Sequence, residues 1–481
     1  MPACFCLAIV IGSEQNYLLS KKGNTMTPME RRGTFSLAGI YGLRMMGLFL
    51  ILPVFSLYAE GLEGVTPTLM GLAIGAYGFT MAMLQIPFGW VSDRVGRKPV
   101  IAIGLLIFAI GSVVAAMADS IWGVILGRAL QGAGAIAAAM MALLADLTRE
   151  ENRSKAMATV GMTIGMSFTL ALILGPFLGH LIGVDGIFWM TAVLALLCIG
   201  VLFLLVPDPK AEDFHVHRDV EAQPNEFGRI LRNVQLLRLD AGILILHAVM
   251  TSMFIALPFV LRDHLHIATN SHAWVYLPVL VVALFFMVPL IIAAEKKDKM
   301  KQVFLTCIIL IAMASALLGF FHETLAGVIA ALFIFFVAYN VLEATLPSLI
   351  SRMAPIDAKG TAMGVYSTSQ FFGAFLGGAV GGWCYGMYDV QGVFYGAAAL
   401  AALWLLIALG MKMPPMRSSM MAHIDASTDA ASLQVKLLAL QGVSEAKVVP
   451  EESAVFLRVD KKVFEPETFE MVLKPYQTES V

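Results

Sequence analysis

Four ionisable side chains stand deep inside long apolar runs: Arg44, Arg128, His247 and Glu343. Burying such a group in hydrocarbon costs at least ~2.5–3.5 kcal/mol, so each is expected to face a wet interior rather than lipid. A carboxyl, an imidazole and a guanidinium in that setting have the chemistry of proton exchange. Glu343 is read as the group that takes and releases a proton, with Arg44 as its counter-charge. His247 is a relay, since the ordinary imidazole pKa is ~6.5. The same side chains also read as a static ion pair fastening two helices. Tyr41, Asn340 and Gln370 offer polar contacts to a substrate.

A second constellation is GWVSDRVGRKPV at 89–100, which sets Asp93, Arg94, Arg97 and Lys98 between two stretches almost free of charge. A helix ending near Trp90 presents a negative dipole end, which favours Arg94 and Arg97 beside it. Gly89 permits close helix contact, and Gly96 permits a tight turn. Charges that serve topology alone would require neither the aspartate nor the glycines.

The elements that must position these groups follow from composition. The 481 residues are 59% hydrophobic and 14% charged, against about 25% charged in soluble proteins. That surplus has no aqueous interior large enough to hold it, so the chain is an integral membrane protein. A window of ~20 apolar residues finds spans 1–6 near 35–58, 67–91, 98–117, 121–144, 154–182 and 187–206. Spans 7–12 lie near 239–261, 272–294, 302–321, 324–347, 359–384 and 390–411. This gives an all-α membrane body of 12 transmembrane helices in two six-helix halves, 26–206 and 239–412, joined by a cytoplasmic central loop at 207–238. About 23 of the 32 Lys and Arg residues fall on one side, against Arg262 alone on the other. By the positive-inside rule both termini are cytoplasmic. At 1.5 Å per residue, Arg44 and His247 come out roughly 12 Å from the cytoplasmic ends of their spans, Glu343 roughly 8 Å and Arg128 roughly 24 Å.

Several function classes lose support. The five cysteines form no CxxC pair, so neither a metal site nor a disulfide framework is indicated. No GxxxxGK[ST] phosphate loop supports ATP as the driver. The net charge of -2 gives no reason to expect nucleic acid as a partner. Residues 1–25 hold an apolar run too short to span a bilayer. They read as a disordered extension, or as the product of a start upstream of Met26.

The halves repeat. RSKAMATVGMTIGMSF (153–168) opens span 5 and KGTAMGVYSTSQFF (359–372) opens span 11, each a basic residue, two spacers and Ala-Met. Parallel repeats of six spans build one class of transporter. With this, GWVSDRVGRKP resembles the loop 2–3 signature G-x-x-x-D-R-x-G-R-K of the major facilitator superfamily. LGRALQGAGA (126–135) resembles its fourth-span motif, and LGPFLGH (174–180) the Gly-Pro signature of its antiporters. The resemblance implies that spans 1, 4, 7 and 10, which carry the four ionisable residues, line a central cavity. It sets Asp93 against Gly360 and Thr361 at the start of span 11 and pairs Arg97 with Asp146, a latch favouring the outward-facing state. It links Arg128 to proton coupling, while a structural arginine bonding helix carbonyls is the other reading. Gly175, Pro176 and Gly179 are expected to loosen span 5, since Pro removes a helix hydrogen bond. Ala171 and His180 stand where the fuller antiporter pattern has glycine.

After residue 412 the composition turns soluble, and the order β-α-β-β-α suggests a ferredoxin-like α+β domain at 413–481. It contains no cysteine, so metal transfer is not expected. Relatives carrying such a tail imply a regulatory, dimerising or ligand-binding role. The reading is a proton-driven antiporter of the bacterial inner membrane, monomeric in its body, exporting an unidentified small molecule by alternating access and needing no cofactor beyond the proton-motive force. Nutrient uptake by proton symport, or a sensor that has lost transport, are the rival readings.

Overall fold

A computed structural model of the chain describes residues 26–208, 226–296, 299–355, 358–412, 417–425, 429–449, 454–460 and 463–476. The expected N-terminal extension and most of the central loop lie outside the described residues. Helices run longer than their apolar windows, because capping and ion pairs carry them past the hydrophobic stretch. Span 1 starts at Pro28 with Thr27 as N-cap: Glu30 N donates to Thr27 Oγ1, and Thr27 N donates to Glu30 Oε2 at 2.7 Å. This reciprocal capping box satisfies two of the donors that a helix start leaves open.

Among the described residues, nine helices are long and apolar enough to cross a membrane. Two of them are double passes. Glu150–Leu204 turns at Gly183 (φ 72°), and both its ends return to the foot of span 1. There Glu30 accepts from Arg149 and Asn152, and Arg32 donates to the Leu204 carbonyl. Lys359–Leu409 turns at Asp389 (φ 59°); Lys301 donates to the Leu409 carbonyl and Arg238 to that of Gly410. Span 1 supplies the remaining pass, as Pro28–Phe49 and Phe55–Ala59 separated by a turn. The body is the expected all-α bundle of twelve.

Span 4 is not continuous. It breaks between Ile121–Ala133 and Ala137–Asp146 at Gly134. Span 7, Val234–Phe259, extends into a π-turn at Val260–His264. These extensions revise the depths given above. Glu343 lies ten residues from Met353, the end of its helix, or roughly 15 Å; His247 is roughly 20 Å from Val234 and Arg44 roughly 24 Å from Pro28.

Apolar lipid gives helices no hydrophobic reason to associate, so close packing of small residues must hold the bundle. Span 11 shows how. Gly373, Gly377 and Gly381 lie on the backbone of Leu244, Ala248 and Ser252 in span 7. Its other face meets span 2, with Gly378 against Gly71 and Phe375 against Gly75. The apolar cores are asymmetric. The larger takes in the C-terminal half, but from the N-terminal half only 50–62, 70–74, 115–124 and 168–188. The second core, 37–48, 77–109, 135–164 and 195–206, is confined to the N-terminal half apart from Phe371 at its edge. The halves therefore share one apolar core at the end carrying loops 1–2 and 5–6, the far end, and have separate cores at the loop 2–3 end.

In the tail, β1 (Arg417–His423), β2 (Val443–Val449) and β3 (Ala454–Asp460) form an antiparallel sheet in the order β1-β3-β2. Helices Ala430–Leu438 and Pro466–Leu473 follow β1 and β3, and Leu433, Leu437, Phe469 and Leu473 pack on Val455 and Leu457.

Candidate functional site

Spans 7, 10 and 11 bring three polar side chains together at mid-depth. Gln370 Nε2 lies 3.1 Å from Glu343 Oε1 and 2.9 Å from His247 Nε2. His247 Nδ1 lies 3.8 Å from Glu343 Oε2. Glu343 and His247 are buried, and Glu343 Oε2 and His247 Nδ1 have no hydrogen-bond partner among the described residues. Tyr339, one turn along span 10, covers the imidazole at 6.2 Å between centroids and stacks on Phe168 of span 5, so the cluster abuts the other half. Gln370 thus belongs to the acid–imidazole cluster itself. Asn340 and Tyr41 are buried on spans 10 and 1.

Arg44 is not the counter-charge of Glu343. Its Nη2 donates to the Gly134 carbonyl at 2.7 Å, and its guanidinium lies over Phe108 and Tyr77 at 5.5 and 5.9 Å. The break in span 4 explains this, because the interruption leaves a main-chain acceptor inside the N-terminal half. Arg128 is likewise buried there. Its Nη1 donates to Gln131 Oε1 at 2.8 Å, Gln131 Nε2 donates to Ser112 Oγ at 2.8 Å, and the guanidinium sits 5.3 Å over Tyr77. The four expected charges therefore form two groups, an acid–imidazole site in one half and two arginines around Tyr77 in the other.

The loop between spans 2 and 3 is tightly built. Gly96 adopts φ +107°, where any side chain would be strained. Gly89 lies against Ala138 of span 4. Arg97 is buried and binds Asp93, Ser92 Oγ at 2.9 Å and Asp146 at 3.3 Å, so the expected Arg97–Asp146 contact is present. Arg94 stacks on Trp90 at 3.6 Å, and Lys98 donates to the Val206 carbonyl at 2.7 Å and meets Asp208 at 2.5 Å. Asp93 departs from expectation. The register in which Gly78 meets Phe371 and Gln85 meets Gly364 brings it level with the start of span 11. Yet its carboxylate, one-third exposed, folds back onto Arg97, and no hydrogen bond joins it to Gly360 or Thr361.

The Gly-Pro segment also behaves differently from its reading. The helix runs unbroken through Pro176, and it is span 1 that is interrupted, at Leu50–Val54. Gly175 lies against the Leu50 carbonyl and Pro53, and Gly179 against Val54. The glycines admit the turn of span 1.

Three polar features escaped the sequence reading. Asp240 is buried in span 7 with neither carboxylate oxygen partnered among the described residues; it sits at the edge of the apolar window and reads there as a boundary charge. Glu30 is buried and accepts from Arg149 N and Nε at 2.9 Å and from Asn152 at 3.1 Å. Burial pushes its carboxyl up, but the hydrogen bonds from Arg149 and Thr27 outweigh that and hold the pKa at about 2. At the far end Arg262 bridges to Glu60 of span 1 at 2.5 and 3.1 Å, joining the halves. Only the fold brings residues 202 positions apart into contact.

A twelve-pass bundle of two halves with polar groups buried along their seam defines a membrane transporter body. The chain matches the Major Facilitator Superfamily over residues 37–378 and 298–419, and it belongs to that family. It is 47% identical to the inner membrane transport protein YajR of Escherichia coli (strain K12), over 91% of this chain and 96% of that one. The multidrug resistance protein MdtH of Cronobacter sakazakii is 24% identical over 71% of this chain and 84% of its own. Among solved structures, a bacterial homolog of the human lysosomal transporter Spinster superposes with a TM-score of 0.64 at 14% identity, covering 80% of this chain and 96% of that one. A D-xylose-proton symporter gives the same TM-score and identity over 79% and 98%.

Proposed function

We propose that the protein is a proton-coupled antiporter of the bacterial inner membrane that exports a small molecule by alternating access. The loop 2–3 end faces the cytoplasm, in accord with its concentration of basic residues. The observation that carries the reading is the Glu343–His247–Gln370 cluster: a buried carboxylate with one oxygen bare, beside an imidazole, on the seam of two halves that share an apolar core at one end only. Since Gln370 donates to His247 Nε2, the ring proton sits on Nδ1, and it is Glu343 Oε2 that accepts a proton or a substrate donor without breaking an existing bond. Glu343 carries the proton and His247 and Gln370 set its orientation, while Arg44 and Arg128 hold the N-terminal half together around Tyr77. The Arg97–Asp146–Asp93 network frames loop 2–3 and takes up span 11 when the cytoplasmic end closes. The strand order of the tail supports a ferredoxin-like unit, to which we assign a regulatory role. The relative named for multidrug resistance makes hydrophobic compounds the first substrates to try.

The test is proton movement in inverted vesicles given a panel of hydrophobic cations and neutral drugs. Antiport releases lumenal protons when substrate is added, and a protonophore collapses substrate accumulation. Glu343→Gln is expected to abolish both while leaving the thermal midpoint of the purified protein within a few degrees. Proton-coupled transport intact in that variant, with a lowered midpoint, would reduce Glu343 to a packing role. Protons moving with substrate would favour symport.

A further inference from the structure

The far end carries three side chains that the transport reading does not use. His264 closes the π-turn that extends span 7, and His322 and Glu323 lie in the turn between spans 9 and 10. One donor atom from each lies within 4.8 Å of the other two. His322 is buried, and its Nδ1 lies 2.9 Å from the Gly319 carbonyl, which makes Nδ1 the protonated nitrogen and leaves the lone pair on Nε2. Nε2 is 3.9 Å from Glu323 Oε1, and the two imidazoles meet edge to face at 4.9 Å between centroids. An imidazole oriented through its other nitrogen by a backbone carbonyl is the arrangement that metal-bound histidines have. Zinc holds nitrogen and oxygen donors at about 2.0–2.2 Å, which puts them roughly 3.4 Å from one another. His322 is held by its bond to the Gly319 carbonyl, so closing from 4.8 Å falls to exposed Glu323 and half-buried His264.

We propose that His264, His322 and Glu323 form a binding site for a divalent transition-metal ion of the zinc type. Two imidazoles and one carboxylate suit Zn2+, Ni2+ or Cu2+, whereas Mg2+ and Ca2+ take all-oxygen sets. Three protein donors leave a fourth position open to water. A bound ion ties the end of span 7 to the start of span 10. It does so two residues from Arg262, whose guanidinium reaches Glu60 of the opposite half. The site thus lies where span 7 enters the closed end of the seam, and its filling stiffens a π-turn, an irregularity often found at functional positions.

The experiment is calorimetric titration of ZnCl2 into purified full-length protein, with MgCl2 in parallel. The background carries His215→Ala, His217→Ala, His266→Asn and His423→Ala, which removes the histidines of the central loop, the loop after span 7 and the tail as competing ligands. The expected result is one Zn2+ per chain in the micromolar range or tighter, no Mg2+ binding, and at least tenfold weaker Zn2+ binding in Glu323→Gln and in His264→Gln. Metal-free thermal unfolding of Glu323→Gln, altered only at an exposed position, checks that the fold is intact. Absence of Zn2+ binding in the background protein would overturn the proposal, leaving the two rings as a packing contact. Undiminished binding in both variants would overturn it equally.

Discussion

Three buried carboxylates are treated differently by this fold. Glu30 receives donors from Thr27, Arg149 and Asn152 on both oxygens. Glu343 receives one donor on one oxygen, and Asp240 none among the described residues. Glu30 is a permanent anion that fastens the foot of span 1 to that of span 5. Its carboxyl has been lowered from the ordinary 4.5 to about 2. The bonds to its charged form therefore stabilise the fold fully above pH 4.5, and that contribution is lost as pH falls toward 2. Glu30→Gln is expected to cost about 1.5–3 kcal/mol at neutral pH, the usual worth of a hydrogen bond to a charged group. Thermal midpoints measured between pH 7 and pH 3 should converge for the two proteins as pH falls; a constant difference would mean that the carboxylate charge is irrelevant there. Much of this was beyond the sequence. Arg97–Asp146 is what the resemblance of the loop 2–3 motif implies, and the structure contains the contact. Glu30 and Arg149, 119 positions apart, share no motif that would pair them.

At the scale of elements, the sequence carried the number of passes and their order well, because hydrocarbon enforces long apolar runs. It carried their interruptions poorly. Span 4 breaks at Gly134 within a run of small residues that reads as unbroken helix, and span 1 breaks at Leu50–Val54 around Pro53. Both breaks depend on neighbours: Arg44 takes the Gly134 carbonyl, and Gly175 admits the turn of span 1. Acid–base pairing is the simplest rule for two charges in lipid and points Arg44 to Glu343, but the carbonyl that Arg44 binds becomes available only where span 4 breaks. The glycines of span 11 are the residue type that close helix packing in a membrane requires, but only the structure assigns Gly378 and Gly382 to span 2 and Gly373, Gly377 and Gly381 to span 7. Gly378 is the critical member of the face toward span 2, since a Cβ there would lie 2.9 Å from Gly75 N and 3.0 Å from its Cα. Backbone cannot yield as a side-chain tip can. Gly378→Val is expected to cost about 1–3 kcal/mol by overpacking, read as a lower thermal midpoint. An unchanged midpoint would show that spans 2 and 11 separate freely.

For the whole molecule, the question is what holds one end of the seam shut while the other is unfused. The far end has apolar packing from both halves, the Ser56 hydroxyl donating to the Phe254 carbonyl at 3.3 Å, and Glu60–Arg262. The loop 2–3 end has Gln85 bound to Gly364 and Thr368 at 3.3 and 3.1 Å, while Asp93 turns to Arg97 within its own half. The structure is thus the state closed at the far end, and we assign a latch between Asp93 and span 11 to the opposite one. This ordering gives the ion pair a direction of effect. Glu60 and Arg262 are each one-third to one-half exposed, so water screens their attraction, and a pair of this kind is worth ~0.2–1 kcal/mol. That amount still shifts a two-state equilibrium about 1.4- to 5-fold, since 1.4 kcal/mol is tenfold. Glu60→Gln should therefore raise the population open at the far end by that factor. The measurement is the labelling rate of Ser56→Cys, in a cysteine-free background, by a maleimide that cannot cross the membrane. The rate should rise with Glu60→Gln and fall back when Asp93→Asn removes the latch that competes with closure at the far end. If Asp93→Asn instead increases labelling in the Glu60→Gln protein, the two ends do not oppose each other, and alternation between them is not how this bundle moves.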